Sequence, residues 1–176
     1  MATLSKADIK MALTRLGELA VSQGTPIRLL MVGGGAMVLA FDARESTRDL
    51  DVAILAPQHA ATVRDLAECI ARELGWEPSW LNDAAKGFLV GRSEGPTIFS
   101  SPGIEVIRPV IEQLLAMKLC AWRDDLDMAD AKRLLEEMTG DHQTTWERIT
   151  PYLQPGQELK AHYAFEDLWD DAHGQA

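Results

Sequence analysis

The stretch MVGGGAMVLAFDARESTRDLDVAIL, residues 31 to 55, constrains the chain more than any other part of it. The apolar run IRLLMV (27–32) that enters it reads as a buried strand ending at glycines, and GGAMVLAFDA then has the composition and spacing of a helix. DLDVAIL (49–55) reads as a second strand. Side chains two apart on a strand share a face, so Asp49 and Asp51 lie together while Leu50 and Val52 face the other way. Two carboxylates that close resist ionising together unless a cation compensates. A hard divalent ion, Mg²⁺ or Mn²⁺, takes carboxylate oxygens along with substrate phosphates and would account for the pair.

The glycines supply the complementary half of that chemistry. Backbone N–H groups where a glycine turn opens a helix form a cradle for anions, and glycine lets a phosphate approach the chain. Strand, Gly33-Gly34, helix, and strand with D-x-D thus assemble a phosphate and its metal in a short span. The plainer reading is that Gly33 to Gly35 allow tight packing and that Asp49 and Asp51 mark a strand's exposed end.

Along the rest of the chain, residues 5 to 22 place Ile9, Leu13, Leu16 and Leu19 at helical intervals behind a Ser5 cap with Asp8 in the first turn. QHAATVRDLAECIARELG (58–75) is a long helix with Gly75 as its C-cap. WLNDAAKGFLVG (80–91) suggests a short helix. TIFSS and IEVIRP flank Pro102-Gly103 and read as a hairpin. From Val110 onward the pattern is helical: VIEQLLAMKLCAW, LDMADAKRLLEEM, TTWERITPYL and ELKAHYAFEDLW. The expected fold is α+β, a mixed sheet of about four to five strands flanked by helices, with residues 1–109 as the α/β part and 110–176 as a helical part packed on it in one compact unit.

These motifs resemble the nucleotidyltransferase superfamily of the DNA polymerase beta type fold, and most closely the AbiEii-type group, known as nucleotidyltransferase toxins of toxin–antitoxin systems. GGGAM, RESTRDLDV, WLNDAAKGF and EQLLAMKLCAWRDDLDMAD carry the likeness, over roughly residues 25 to 140. The resemblance puts the family's Gly-Gly motif on Gly33 and Gly34 and its metal-binding D-x-D on Asp49 and Asp51. Its lysine-x4-arginine helix falls on Lys118 and Arg123, and a following aspartate on Asp127 or Asp130. It implies a metal-dependent transfer of a nucleoside monophosphate from a nucleoside triphosphate to an acceptor hydroxyl, on a tRNA end or a protein, with an antitoxin as partner. The chain departs from the family at the third carboxylate: Glu105 in IEVIRP is the best-placed candidate and Asp83 in WLNDAAKGF the other.

Read from the residues alone, Lys118 falls in the apolar stripe of Ile111, Leu114, Leu115 and Trp122. Its ammonium either snorkels to water or meets an anion, which is a nucleotide phosphate or a carboxylate such as Asp127 or Asp130 on the next helix, and the expectation is that it points toward the D-x-D cleft rather than to solvent. Arg123 with Asp127 has the i, i+4 spacing of an ordinary surface pair. Arg44, Thr47 and Arg48 precede the D-x-D, where they either touch phosphate or are merely solvated, and Lys86 presents the same two readings. A catalytically inactive nucleotide-binding or partner-binding protein on the same fold is the alternative to an enzyme.

Charge narrows the partners: a formal net charge of −10 argues against a general basic coat for nucleic acid. No apolar run is long enough to cross a membrane, and the N-terminal sequence lacks the pattern of a signal peptide, so a cytoplasmic protein with no membrane partner is expected. Cys69 and Cys120 match no metal spacing, and the four histidines form no ligand set with one another.

Overall fold

A computed structural model of the protein describes residues 3–174. It is an α+β fold with a five-stranded mixed sheet, a separate two-stranded sheet and helices that dominate the C-terminal part. In chain order the elements are β1 (Leu4–Ser5), α1 (Lys6–Ser22), β2 (Ile27–Val32), α2 (Gly33–Phe41), β3 (Ser46–Thr47), β4 (Leu50–Ile54), α3 (Ala60–Leu74), β5 (Leu81–Asn82), β6 (Thr97–Ser101) and β7 (Ile104–Ile107). Then follow α4 (Ile111–Ala121), α5 (Asp125–Glu136), α6 (His142–Ile149) and α7 (Glu158–His173). Short 3₁₀ turns join several of them.

The chain, expected as one unit, divides into two compact units, one of residues 1–87 and 94–108, the other of residues 88–93 and 109–176. The division falls at 108/109, and the short segment 88–93 belongs with the helices rather than the sheet.

Within the first unit the sheet has the order β5-β4-β2-β7-β6. β2 lies between β4, its antiparallel neighbour, and β7, its parallel one. A strand flanked on both sides must be apolar almost throughout, and Leu29, Leu30, Met31 and Val32 are all essentially inaccessible. Helix α1 starts with a capping box: Ser5 Oγ accepts from the Asp8 N–H and Asp8 Oδ2 accepts from the Ser5 N–H, at 2.9 Å. It packs on α3 and on the β6–β7 hairpin, and its Ile9, Leu13 and Leu16 are fully buried. The hairpin turns at Pro102-Gly103, as its sequence requires.

The short helix expected within 80–91 is a 3₁₀ helix at Ala84–Gly87, and the strand β5, which the sequence did not suggest, precedes it. Leu81 and Asn82 pair in parallel with Leu50 and Asp51, so the open edge of β4 extends two residues that by composition alone suit a turn. In the second unit, α4 packs against α5, α6 and α7, with Leu115, Ala116 and Leu119 fully buried. No helix among the described residues is long and apolar enough to cross a membrane.

Candidate functional site

The register of two strands creates the site. In the antiparallel pair of β2 and β4, Val32 stands opposite Asp51, so the last residue before the glycines is adjacent to the second aspartate. Gly33 then takes φ 61°, a left-handed conformation that a side chain would strain, and the chain turns directly into α2. The turn brings the helix onto the carboxylate: a Cβ on Gly33 would lie 2.8 Å from Asp51 Oδ2. A Cβ on Gly34 would overlap the Thr47 hydroxyl and come to 3.4 Å from an Arg44 guanidinium nitrogen. Gly33, Gly34, Arg44, Thr47 and Asp51 are therefore one cluster at the N-terminus of α2, where unpaired N–H groups and the helix dipole favour an anion. The glycines serve close packing here as well, since their missing side chains are where Asp51 and Thr47 sit.

β4 begins at Leu50, not at Asp49 as the sequence pattern suggests, so only Asp51 lies in the strand. Asp51 is held by a second neighbour, Asn82 of β5, whose Nδ2 donates to Asp51 Oδ1 at 3.2 Å, and Asn82 Oδ1 in turn accepts from the Ala84 N–H. Asp49 follows a bend at Arg48, which Thr47 spans by donating its buried hydroxyl to the Asp49 carbonyl at 3.2 Å. The half-buried Asp49 carboxylate and the exposed Arg48 guanidinium line a cavity of about 300 Å³ with Leu4, Trp76, Ser79 and Trp80. Neither charged group has a hydrogen-bond or ion-pair partner for its side chain among the described residues.

Neither candidate for a third carboxylate joins this cluster. Glu105 pairs with Arg28 across the β2–β7 ladder, Arg28 Nε donating to Glu105 Oε2 at 2.7 Å and Thr97 donating to Oε1 at 3.0 Å. These bonds, that from Arg28 first, hold its pKa below the usual carboxylate value. Arg28 is four residues before Val32 on β2, so Glu105 lies roughly 13 Å back along the strand direction from the level of Asp51, on a strand that is not its neighbour. Asp83 is taken up by Arg64, whose hydrogen bonds lower its pKa, with Lys86 at 3.9 Å. Lys86 is largely exposed.

The remaining sequence candidates form a separate cluster in the helical unit. Trp122 caps α4 in the left-handed region (φ 35°), and the reversal lets α5 return alongside. Lys118 Nζ is then 3.0 Å from Asp127 Oδ1 and 2.7 Å from Asp130 Oδ2, and Arg123 Nε donates to Asp127 Oδ2 at 2.9 Å. Asp127 and Asp130 are 1% exposed and Lys118 9%. The anion that answers Lys118 is thus a pair of carboxylates on the next helix, one of the two partners its sequence position allowed. Burial raises the Asp127 pKa, but the hydrogen bonds from Arg123 and Lys118 and the charge of Lys118 outweigh it and bring the value down to about 2.

Asn82 escaped sequence reasoning because nothing in WLNDAAKGF distinguishes it from Asp83, and only the β4–β5 pairing chooses between them. The same holds for His142 and His162, far apart in sequence, whose Nε2 atoms approach Glu166 Oε1 at 3.0 and 3.4 Å.

For a divalent ion, Asp51 offers hard oxygen donors beside an anion-favouring helix end and Asp49, two residues earlier, a second carboxylate, which suits an ion that keeps phosphates and waters as its other ligands. No set of three or more His, Cys, Asp or Glu side chains arranged to hold a metal occurs among the described residues. Asp49 and Asp51 are the side chains that would ligate an ion at such a site. No family model, curated protein or solved structure matches the chain.

Proposed function

We propose that the protein is a metal-dependent nucleotidyltransferase that moves a nucleoside monophosphate from a nucleoside triphosphate to an acceptor hydroxyl. The observation that carries this reading is the register of Val32 against Asp51, which sets a carboxylate against the glycine-opened N-terminus of α2. Asp49 and Asp51 would hold Mg²⁺ or Mn²⁺, and the ion supplies charge neutralisation to the phosphates when bound. The N–H groups of the first turn of α2 bind phosphate oxygens, and Arg44, beside Gly34, adds a guanidinium suited to the same oxygens. In the transfer, the acceptor oxygen bonds to the α-phosphorus, the bond from that phosphorus to the bridging oxygen breaks, and pyrophosphate leaves with the electron pair. The hydroxyl proton passes to solvent. The chain's contribution is chiefly positioning and preorganised electrostatics.

Lys118, Arg123, Asp127 and Asp130 take a supporting part in this reading, because the two cations are ion-paired with the two carboxylates within the helical unit. A tRNA end or a protein hydroxyl as acceptor, an antitoxin as partner and a cytoplasmic location follow from the family resemblance and belong to the same proposal.

The test is incubation of the full chain with each α-labelled nucleoside triphosphate, Mg²⁺ and either total tRNA or a cell lysate. Label on a macromolecule, lost in Asp49→Ala and in Asp51→Ala, supports transfer. One observation favours a second reading, a nucleotide-binding protein without chemistry: both spare carboxylates, Glu105 and Asp83, are engaged by arginines. Saturable Mg²⁺-dependent triphosphate binding with no label on any acceptor selects that reading.

A further inference from the structure

The cavity beside Asp49 has a wall that the phosphate chemistry leaves unused. Trp80 is 2% exposed and fixed by its indole N–H, which donates to the Ala67 carbonyl at 2.9 Å. Trp76 meets it edge to face, with ring centroids 5.6 Å apart and planes at 69°, and is itself half-buried. The two rings are set by the end of α3, where Gly75 closes the helix in the left-handed region and a 3₁₀ turn at Pro78–Trp80 returns the chain. A buried, hydrogen-bonded ring thus forms a rigid base, and a second ring held against it offers aromatic surface to the cavity. The Trp76 indole N–H has no hydrogen-bond acceptor among the described residues, and Ser79, Arg48 and Asp49 add polar groups with no side-chain partner there.

A volume of about 300 Å³ is at the small end for a ligand site and is matched to one ring system rather than a long chain. Aromatic walls with a few unmatched donors and acceptors suit a flat heterocycle that stacks and also bonds at its edge. The cavity also shares Asp49 with the proposed phosphate end, so a ligand filling it lies next to that site.

We propose that this cavity binds a nucleobase, stacked on Trp76 and bonded at its edge by Arg48 or Ser79. The inference rests on the reading of Asp49 and Asp51 as the phosphate end of a nucleotide site. The base has two sources of the same chemistry, the nucleoside triphosphate itself or the terminal nucleotide of an RNA acceptor.

The experiment follows the indole ¹⁵N–¹H signals of the full-length protein, with Trp76 assigned through Trp76→Phe. Adenosine, guanosine, cytidine and uridine are titrated first, then the triphosphates with and without Mg²⁺, then short RNA oligonucleotides. At least one nucleoside shifts the Trp76 signal saturably, and Trp76→Ala weakens its binding by on the order of tenfold or more, the scale of one lost stacking contact. Trp76→Phe, which keeps a ring, retains most of the affinity. A stronger response to the triphosphate than to an oligonucleotide ending in the same base makes the substrate the source, and the reverse order makes it the acceptor. Silence of the Trp76 signal toward every nucleoside, triphosphate and oligonucleotide, or an affinity indifferent to Trp76→Ala, overturns the proposal. Mg²⁺-dependent triphosphate binding that leaves Trp76 unmoved sinks the cavity while sparing the phosphate site. Nucleoside binding at Trp76 with no gain from phosphates and Mg²⁺, in wild type as in Asp51→Asn, upholds the cavity and removes the phosphate site.

Discussion

Asp51 is bonded by Asn82, flanked by Val32 and set against Gly33, so its position is determined from three directions. Asp51→Ala removes a half-buried charge without opening a large void, and thermal unfolding should show a near-native fold while metal-dependent transfer falls by at least about 10²-fold, the scale of losing a preorganised electrostatic group. Gly34 behaves differently. A methyl group there would collide with Thr47, whose buried hydroxyl spans the bend before Asp49. Gly34→Ala should therefore cost ~1–3 kcal/mol in urea unfolding, as overpacking does, besides weakening nucleotide binding. Thr47→Ala in the same chain removes the hydroxyl in the way and should recover part of that stability.

A pair of helices decides the role of Lys118. Its ammonium balances two nearly inaccessible carboxylates, so Lys118→Ala takes from Asp127 and Asp130 a cation at 3.0 and 2.7 Å and leaves buried negative charge on α5. Breaking a buried ion pair by removing one partner costs about 3–5 kcal/mol. That loss should appear in equilibrium denaturation, and Asp130→Asn added to Lys118→Ala should return part of it. If Lys118 instead served a phosphate, the single variant would lose activity and keep its stability. The same helix pair predicts acid sensitivity. Asp127 has its pKa lowered to about 2 from an ordinary 3.8, so its ionised form is favoured by folding. The stabilisation is complete above about pH 4 and is lost as the pH falls through about 2, worth ~2 kcal/mol. Replacing Asp127 by Asn should flatten the fall in stability over that interval.

At the scale of the whole molecule, the chain leaves the sheet-bearing unit at Phe88, returns at Glu94 and leaves again after Arg108. The excursion 88–93 is secured inside the helical unit by Gln113 of α4, which is fully buried. Gln113 Oε1 accepts from Ser93 N–H at 3.1 Å and Ser93 Oγ–H at 2.6 Å, and Nε2 donates to the Val90 carbonyl at 3.0 Å. A methionine at 113 would match the shape while orphaning these groups, at a cost of about 1–3 kcal/mol each where they stay dry. Hydrogen exchange should then report selective loss of protection at the Ser93 amide, with the β2 amides unchanged.

Local chemistry was legible from the chain alone. The Ser5 cap with Asp8 in the first turn, the Gly75 cap and the Pro102-Gly103 turn follow from interactions within a few residues, and all three stand in the structure. The glycines that open a helix and the aspartates of the D-x-D could be read as candidate groups for the same reason. Which groups meet could not. Asn82 rather than Asp83 reaches Asp51, Glu105 is turned to Arg28, and Lys118 closes on Asp127 and Asp130, because each choice is made by strand order, register or helix crossing between residues distant in sequence. Those pairings depend on which apolar faces bury best together, a property of the assembled core, and a one-residue change of register would have sent the same carboxylates to the other face of the sheet.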